Sequence, residues 1–138
     1  MIATLALPPS LREELAQAAK GAFPRECCGL VEGVRDGAAA RAVKLHPMPN
    51  LARGHDRFEI DPAAQITLLR ALRGTGRTII GCYHSHPNGR PEPSPRDIEG
   101  ADEINFLWLI AAVESAGAAV HLACFAWNGT DFSPVIVD

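Results

Sequence analysis

Thr78-Ile79-Ile80-Gly81-Cys82-Tyr83-His84-Ser85-His86-Pro87 runs from an apolar stretch straight into two histidines. The run Thr78–Tyr83 is short and bounded by Gly76 and Pro87, which predicts a buried strand. His84 and His86 are two apart at its end, so both imidazoles fall on one face and Ser85 on the other. Six residues later comes Ser94-Pro95-Arg96-Asp97. Ser94 reads as a helix cap and Pro95 as the first helical residue, which fixes the direction of Asp97 in the first turn. The segment Pro87–Pro95 between them holds four prolines and a glycine and reads as a stiff irregular loop. That stiffness lowers the entropy lost on ordering whatever the histidines and Asp97 bind.

Working outward, strands and helices alternate. Ser10-Leu11-Arg12-Glu13 has capping-box spacing and predicts a helix over about 10–20, ended by Gly21. Cys27–Glu32 reads as a strand, turned by Gly33–Gly37 into a second near Ala39–Leu45. After a loop holding Pro47, Pro49 and Gly54, Phe58-Glu59-Ile60 reads as a short strand. Asp61-Pro62 opens a second helix, closed by Gly74 and Gly76. Leu107–Val113 and Ala118–Trp127 read as buried strands, and Asn128-Gly129 as a hairpin turn into Phe132–Val137. Interleaved strands and helices with hairpins at both ends predict an α/β fold, a mixed sheet packed by helices.

The 138 residues suit one domain over 1–138, too few for an eight-fold barrel enzyme. With 47% hydrophobic and 21% charged residues the chain can bury a real core. The net charge of −3 offers no basic field for nucleic acid, and 11 of the 13 basic residues are scattered arginines. No apolar run approaches the ~20 residues of a membrane span, and the N-terminus lacks a signal-peptide pattern, so a cytoplasmic protein is expected. Cys27, Cys28, Cys82 and Cys124 form no CxxC pair and read as reduced core residues.

Two neutral imidazoles and a carboxylate form a common three-ligand set for catalytic zinc, with the fourth place left to water. Asp97 can supply that carboxylate. A cupin is disfavoured, because Glu92 lies too far after His86 and Thr78 stands where its glycine should be. A zinc nucleobase deaminase needs a Pro-Cys-x-x-Cys that is absent.

His84-Ser85-His86-Pro87, six residues and Ser94-Pro95-Arg96-Asp97 resemble the motif of the JAMM (MPN+) metallopeptidase family at every position. Pro24-Arg25-Glu26-Cys27-Cys28-Gly29-Leu30 resembles that family's upstream glutamate segment, and the likeness continues through Asn50 and Phe58–Pro62. The resemblance implies an MPN core, a cytidine deaminase-like curved mixed β-sheet flanked by helices. It implies one Zn2+ per chain on His84, His86 and Asp97, Glu26 as general acid/base, and Ser94 as hydrogen-bond donor to the oxyanion. It implies hydrolysis of an amide or isopeptide bond. The compact form is most similar to bacterial members that act on the glycine-ended tail of a ubiquitin-like sulfur-carrier protein, with the tail adding as a strand beside the site. A general small-peptide hydrolase and a non-catalytic scaffold are the alternative readings.

Other residues carry weaker expectations. Ser85 reads as structural or as a hydrogen bonder behind the site. Cys82 shares the histidine face and is expected to pack in the core. Arg90 and Glu92 face the expected cleft. Asn50 either orders its loop or binds substrate backbone. His121 reads as an interior or edge histidine, and His46 and His55 fall outside any ligand spacing.

Overall fold

The computed structural model describes residues 1–138. Seven strands and three helices follow in the order β1 (Thr4–Ala6), α1 (Pro9–Ala22), β2 (Cys28–Asp36), β3 (Ala39–Met48), α2 (Pro62–Ala71), β4 (Thr78–His86), α3 (Pro95–Gly100), β5 (Leu107–Ala112), β6 (His121–Trp127) and β7 (Phe132–Val137). The strands lie in the order β1-β3-β2-β4-β5-β6-β7. The sheet is mixed: β4 and β5 run parallel, the β2–β3, β2–β4, β5–β6 and β6–β7 pairs antiparallel. The expected curved mixed sheet is therefore present, and its curvature goes on to closure. β1 bridges the two edges, pairing parallel with β3 and, over Thr4 and Leu5, with β7. No helix is long and apolar enough to cross a membrane.

Alternation sorts the side chains onto two faces. Val31, Tyr83, Leu109 and Cys124 point to the face covered by α1, whose Leu15 and Ala19 are fully buried there. Complete burial of Leu15 contributes about 2 kcal/mol. Leu30, Cys82 and Trp108 point to the opposite face, where Leu72 after α2, Leu68 and Phe58 cover them. Gly29 leaves room for the Tyr83 ring to lie across β2, since a Cβ there would overlap that ring.

Three expectations need correction. α1 begins one residue before Ser10, with Pro8 at its cap and no side-chain cap. Pro9 has its φ preset for the first helical position, so Ser10 sits inside the helix and the capping box does not form. Phe58–Ile60 is not a strand. Its backbone partners are local: the Glu59 N–H donates to Asn50 Oδ1, and the Glu59 carbonyl accepts from Leu51 N–H. His121, read as an interior or edge histidine, is exposed at the start of β6, a strand paired on both sides.

Candidate metal and active site

β4 extends to His86, so both histidines are strand residues with fixed backbone geometry. Their Nε2 atoms converge to 2.9 Å. Asp97 reaches the same point from α3, with Oδ2 at 3.2 Å from His84 Nε2 and 3.1 Å from His86 Nε2. Here the capping box does form: Ser94 Oγ accepts from Asp97 N–H, and Asp97 Oδ2 accepts from Ser94 N–H. Asp97 is thus aimed by its own helix start.

The second nitrogens of the two imidazoles differ. His86 Nδ1 lies 2.9 Å from the Arg90 carbonyl, which can only accept. The ring proton therefore sits on Nδ1 and the Nε2 lone pair points at His84 and Asp97. Arg90 touches the site through its backbone carbonyl, and its side chain is exposed. His84 Nδ1 is buried without a hydrogen-bond partner. Its ring is instead stacked on Phe58, with centroids 4.3 Å apart and planes 21° apart, and meets the edge of Trp108.

Glu26 approaches from the residues just before β2. Cys28 pairs with His84 across the β2–β4 ladder, and Ser85 Oγ accepts from Cys27 N–H at 2.8 Å. Ser85 therefore acts behind the site, as its face required. Asn50 donates to the Glu26 carbonyl. The Glu26 side chain is 5% exposed, and its Oε1 has no hydrogen-bond partner.

Burial is the largest influence on the Glu26 carboxyl and raises its pKa to about 7; His86 opposes this, while Asp97 and Asp56 add to it. Burial also acts against the Asp97 carboxylate, but the two imidazoles beside it and the Ser94 N–H outweigh it and hold the pKa well below the usual range. Burial lowers His84. In His86 the same burial is overcome by Asp97 and the Arg90 carbonyl, and the pKa is raised.

Two carboxylates could share this cluster, since Glu26, His84 and His86 also bring ligand atoms within 4.8 Å of one another. Distance and charge separate them. Zinc–ligand bonds of about 2.0–2.2 Å place tetrahedral ligand atoms about 3.3–3.6 Å apart. The His84, His86 and Asp97 donors, 2.9–3.2 Å apart, lie just inside that spacing, and Asp97 is the group held ionised. Lone pairs of His86 Nε2 and Asp97 Oδ2 meet at 3.1 Å, an arrangement that needs a cation or a proton among them. The donor set fits a metal ion.

A cleft of about 370 Å³ opens onto this point, bordered by Glu26, His86, Asn88, Ser94, His55 and Asp56. Cys82 lies beneath the histidines, packed with Leu30, Ile79 and Trp108. Burial pushes its thiol well above the ordinary value, so it is a neutral core group. Asn50 spends both amide hydrogens on the Glu26 and Arg57 carbonyls and its oxygen on Ala52 and Glu59 N–H groups. It orders the loop and has no capacity left for substrate backbone. Glu92 is exposed on the loop. The stacking of Phe58 on His84 had no signal in the sequence, because Phe58 reads there as a strand residue.

The family model for prokaryotic homologs of the JAB domain, Prok-JAB, matches residues 8–127. The chain belongs to this family. It is 30% identical over 129 residues to a desampylase of Haloferax volcanii, covering 93% of this chain and 88% of the relative. It is 37% identical over 100 residues to a probable TtuB-protein conjugate cleaving protease of Thermus thermophilus, covering 70% of this chain and 63% of that protein. Among solved structures, protein DSY2949 from Desulfitobacterium hafniense superposes with a TM-score of 0.82 at 28% identity, covering 98% of this chain and 93% of that one. The fold is that of JAB1/MPN domain proteins. This Prok-JAB chain is a compact JAMM-type hydrolytic enzyme.

Proposed function

We propose that this enzyme is a zinc metallopeptidase that hydrolyses an amide or isopeptide bond at the glycine-ended C-terminal tail of a ubiquitin-like sulfur-carrier protein. The observation that carries the reading is the convergence of His84 Nε2, His86 Nε2 and Asp97 Oδ2 within 3.2 Å, with an unpartnered buried glutamate beside them. His84, His86 and Asp97 would hold one zinc per chain. The ion supplies Lewis acidity and lowers the pKa of water toward neutrality.

The remaining steps belong to the chain. The Glu26 carboxylate would take a proton from the attacking water and return it to the leaving amine, a double role open to a buried carboxyl whose Oε1 has no hydrogen-bond partner. Its free Oε1 faces no competing donor. Ser94 Oγ accepts from Asp97 N–H, which leaves its own hydrogen free to donate into the cleft. There it would stabilise the oxyanion of the tetrahedral intermediate, a contribution on the order of 2.7–4 kcal/mol. A slender tail suits the open cleft, and the names of the Haloferax and Thermus relatives point to protein conjugates as the substrate class. Four free cysteines suit action in the reducing cytoplasm.

Incubation with a carrier protein joined through its tail to an amine tests the reading, with mass spectrometry of the products. The expected result is release of the intact carrier, abolished by chelator and restored by added zinc. His84→Ala and Asp97→Ala should lose both metal and turnover. Cleavage of unstructured peptides but not of the carrier adduct would replace the substrate assignment with a general peptidase.

A further inference from the structure

A metal-binding imidazole is ordinarily aimed by a hydrogen bond to its other nitrogen, and loss of that partner costs roughly 10–100-fold in metal affinity. His86 has such a partner in the Arg90 carbonyl. His84 has none, and its Nδ1 is buried. What fixes the His84 ring is flat contact: Phe58 covers one face at 4.3 Å, and Trp108 stands at 90° to the ring with its centroid 5.9 Å away. Trp108 also meets Phe58 edge-on at 5.7 Å, so the three rings brace one another.

Trp108 is held by β5, but Phe58 lies in a segment without regular secondary structure. The residues on either side of it are both tied to one side chain. The Arg57 carbonyl accepts from Asn50 Nδ2, and the Glu59 N–H donates to Asn50 Oδ1. The second hydrogen of the same amide goes to the Glu26 carbonyl. One side chain therefore joins the backbone of the acid/base residue to the ring that lies on a metal ligand.

We infer that Asn50 and Phe58 are a positioning pair. Asn50 clamps the backbone around Phe58, and Phe58 holds the His84 imidazole in its metal-facing orientation in place of the missing Nδ1 hydrogen bond. This rests on the proposed ligand role of His84. It assigns the Asn50–Ile60 loop a task in metal affinity that is separate from any contact with substrate.

The test is titration of the metal-free full chain with Co2+, read by chelator competition and by the visible absorption band of the bound ion, with no substrate present. His84→Ala should abolish the wild-type signal. If it does not, the ligand reading fails and the inference falls with it. Phe58→Leu keeps apolar bulk but removes the flat face, and should weaken cobalt binding tenfold or more and shift the band. Phe58→Tyr should restore both. Asn50→Asp keeps the acceptor oxygens, loses both donors, and should weaken binding in the same direction without removing the ring. Phe132→Leu is the control, because Phe132 packs on Trp108 at 5.3 Å but does not contact His84. It should lower the melting temperature of the metal-free chain and leave cobalt affinity unchanged. Wild-type affinity and spectrum in both Phe58→Leu and Asn50→Asp would overturn the inference. So would an equal loss of affinity in Phe132→Leu.

Discussion

Glu26 and Glu32 lie six residues apart, one just before β2 and one within it, and each is 5% exposed. Their surroundings are opposite. Glu32 accepts a hydrogen bond from Arg77 Nε and another from His46 Nε2 at 2.9 Å. Burial works against its charge, but those two partners win and its pKa is lowered. Glu26 has an oxygen with no partner at all, and burial raises its pKa to about 7. An unpaired buried carboxylate costs stability, so a fold that needed Glu26 only for packing would have paired it as it paired Glu32. The difference supports the proposal that Glu26 is kept free for proton transfer, whereas Glu32 is tied into the frame by Arg77 and His46.

The largest expected break in this symmetry is Glu26→Gln. The amide keeps the shape and cannot carry the proton. Cleavage of a carrier adduct should fall by about 10²–10⁴-fold in kcat/KM. Metal content should stay at the wild-type level, and the melting temperature at pH 8 should hold or rise, since no charge is buried. Turnover within tenfold of wild type would remove Glu26 from the chemistry.

Glu32→Gln should give the converse result. It leaves the Arg77 guanidinium, whose side chain is 40% exposed, and His46 without their acceptor charge. A loss of about 2 kcal/mol in denaturant unfolding is expected, with activity per folded molecule unchanged. Reduced activity at full folding would mean that the two glutamates are not separate in role.

The contrast also shows what was legible in the sequence. The His84–His86–Asp97 cluster was readable because each member sits on a local device, an alternating strand or a capped helix start, whose geometry follows from a few neighbouring residues. The apolar runs of β4, β5 and β7 were readable for the same reason. Glu26 is different: its place beside the histidines depends on Cys28 pairing with His84 across the β2–β4 ladder, a register that spacing alone does not define. Only family resemblance pointed to it. The Phe58–Ile60 segment misled because an aromatic and a β-branched residue promise a strand, while the Asn50 side chain captures the backbone groups a strand would have used. β1 has three residues and exists only because the sheet curls far enough to need a bridge, which no local pattern announces.

The smallest expected effect is on the pH dependence of stability in the metal-free chain, where the two glutamates should act with opposite sign. Glu26 has a folded pKa of about 7 against an ordinary 4.5, so between those values the folded chain holds a proton that the unfolded chain has released. Stability from this group is fully present below pH 4.5 and is lost as pH rises toward 7. Glu32 is lowered, so its contribution is present above the ordinary value and is lost as pH falls through its folded pKa. Glu26→Gln should therefore flatten the decline between pH 4.5 and 7 and leave the acid limb alone. Glu32→Gln should do the reverse. After allowance for screening by water in the open cleft, the Glu26 difference should be on the order of 1 kcal/mol across its window. Melting temperatures at half-unit pH steps would resolve it. Identical curves for wild type and Glu26→Gln would mean that the carboxyl at position 26 finds a partner in solution, and its reserve for proton transfer would lose its physical basis.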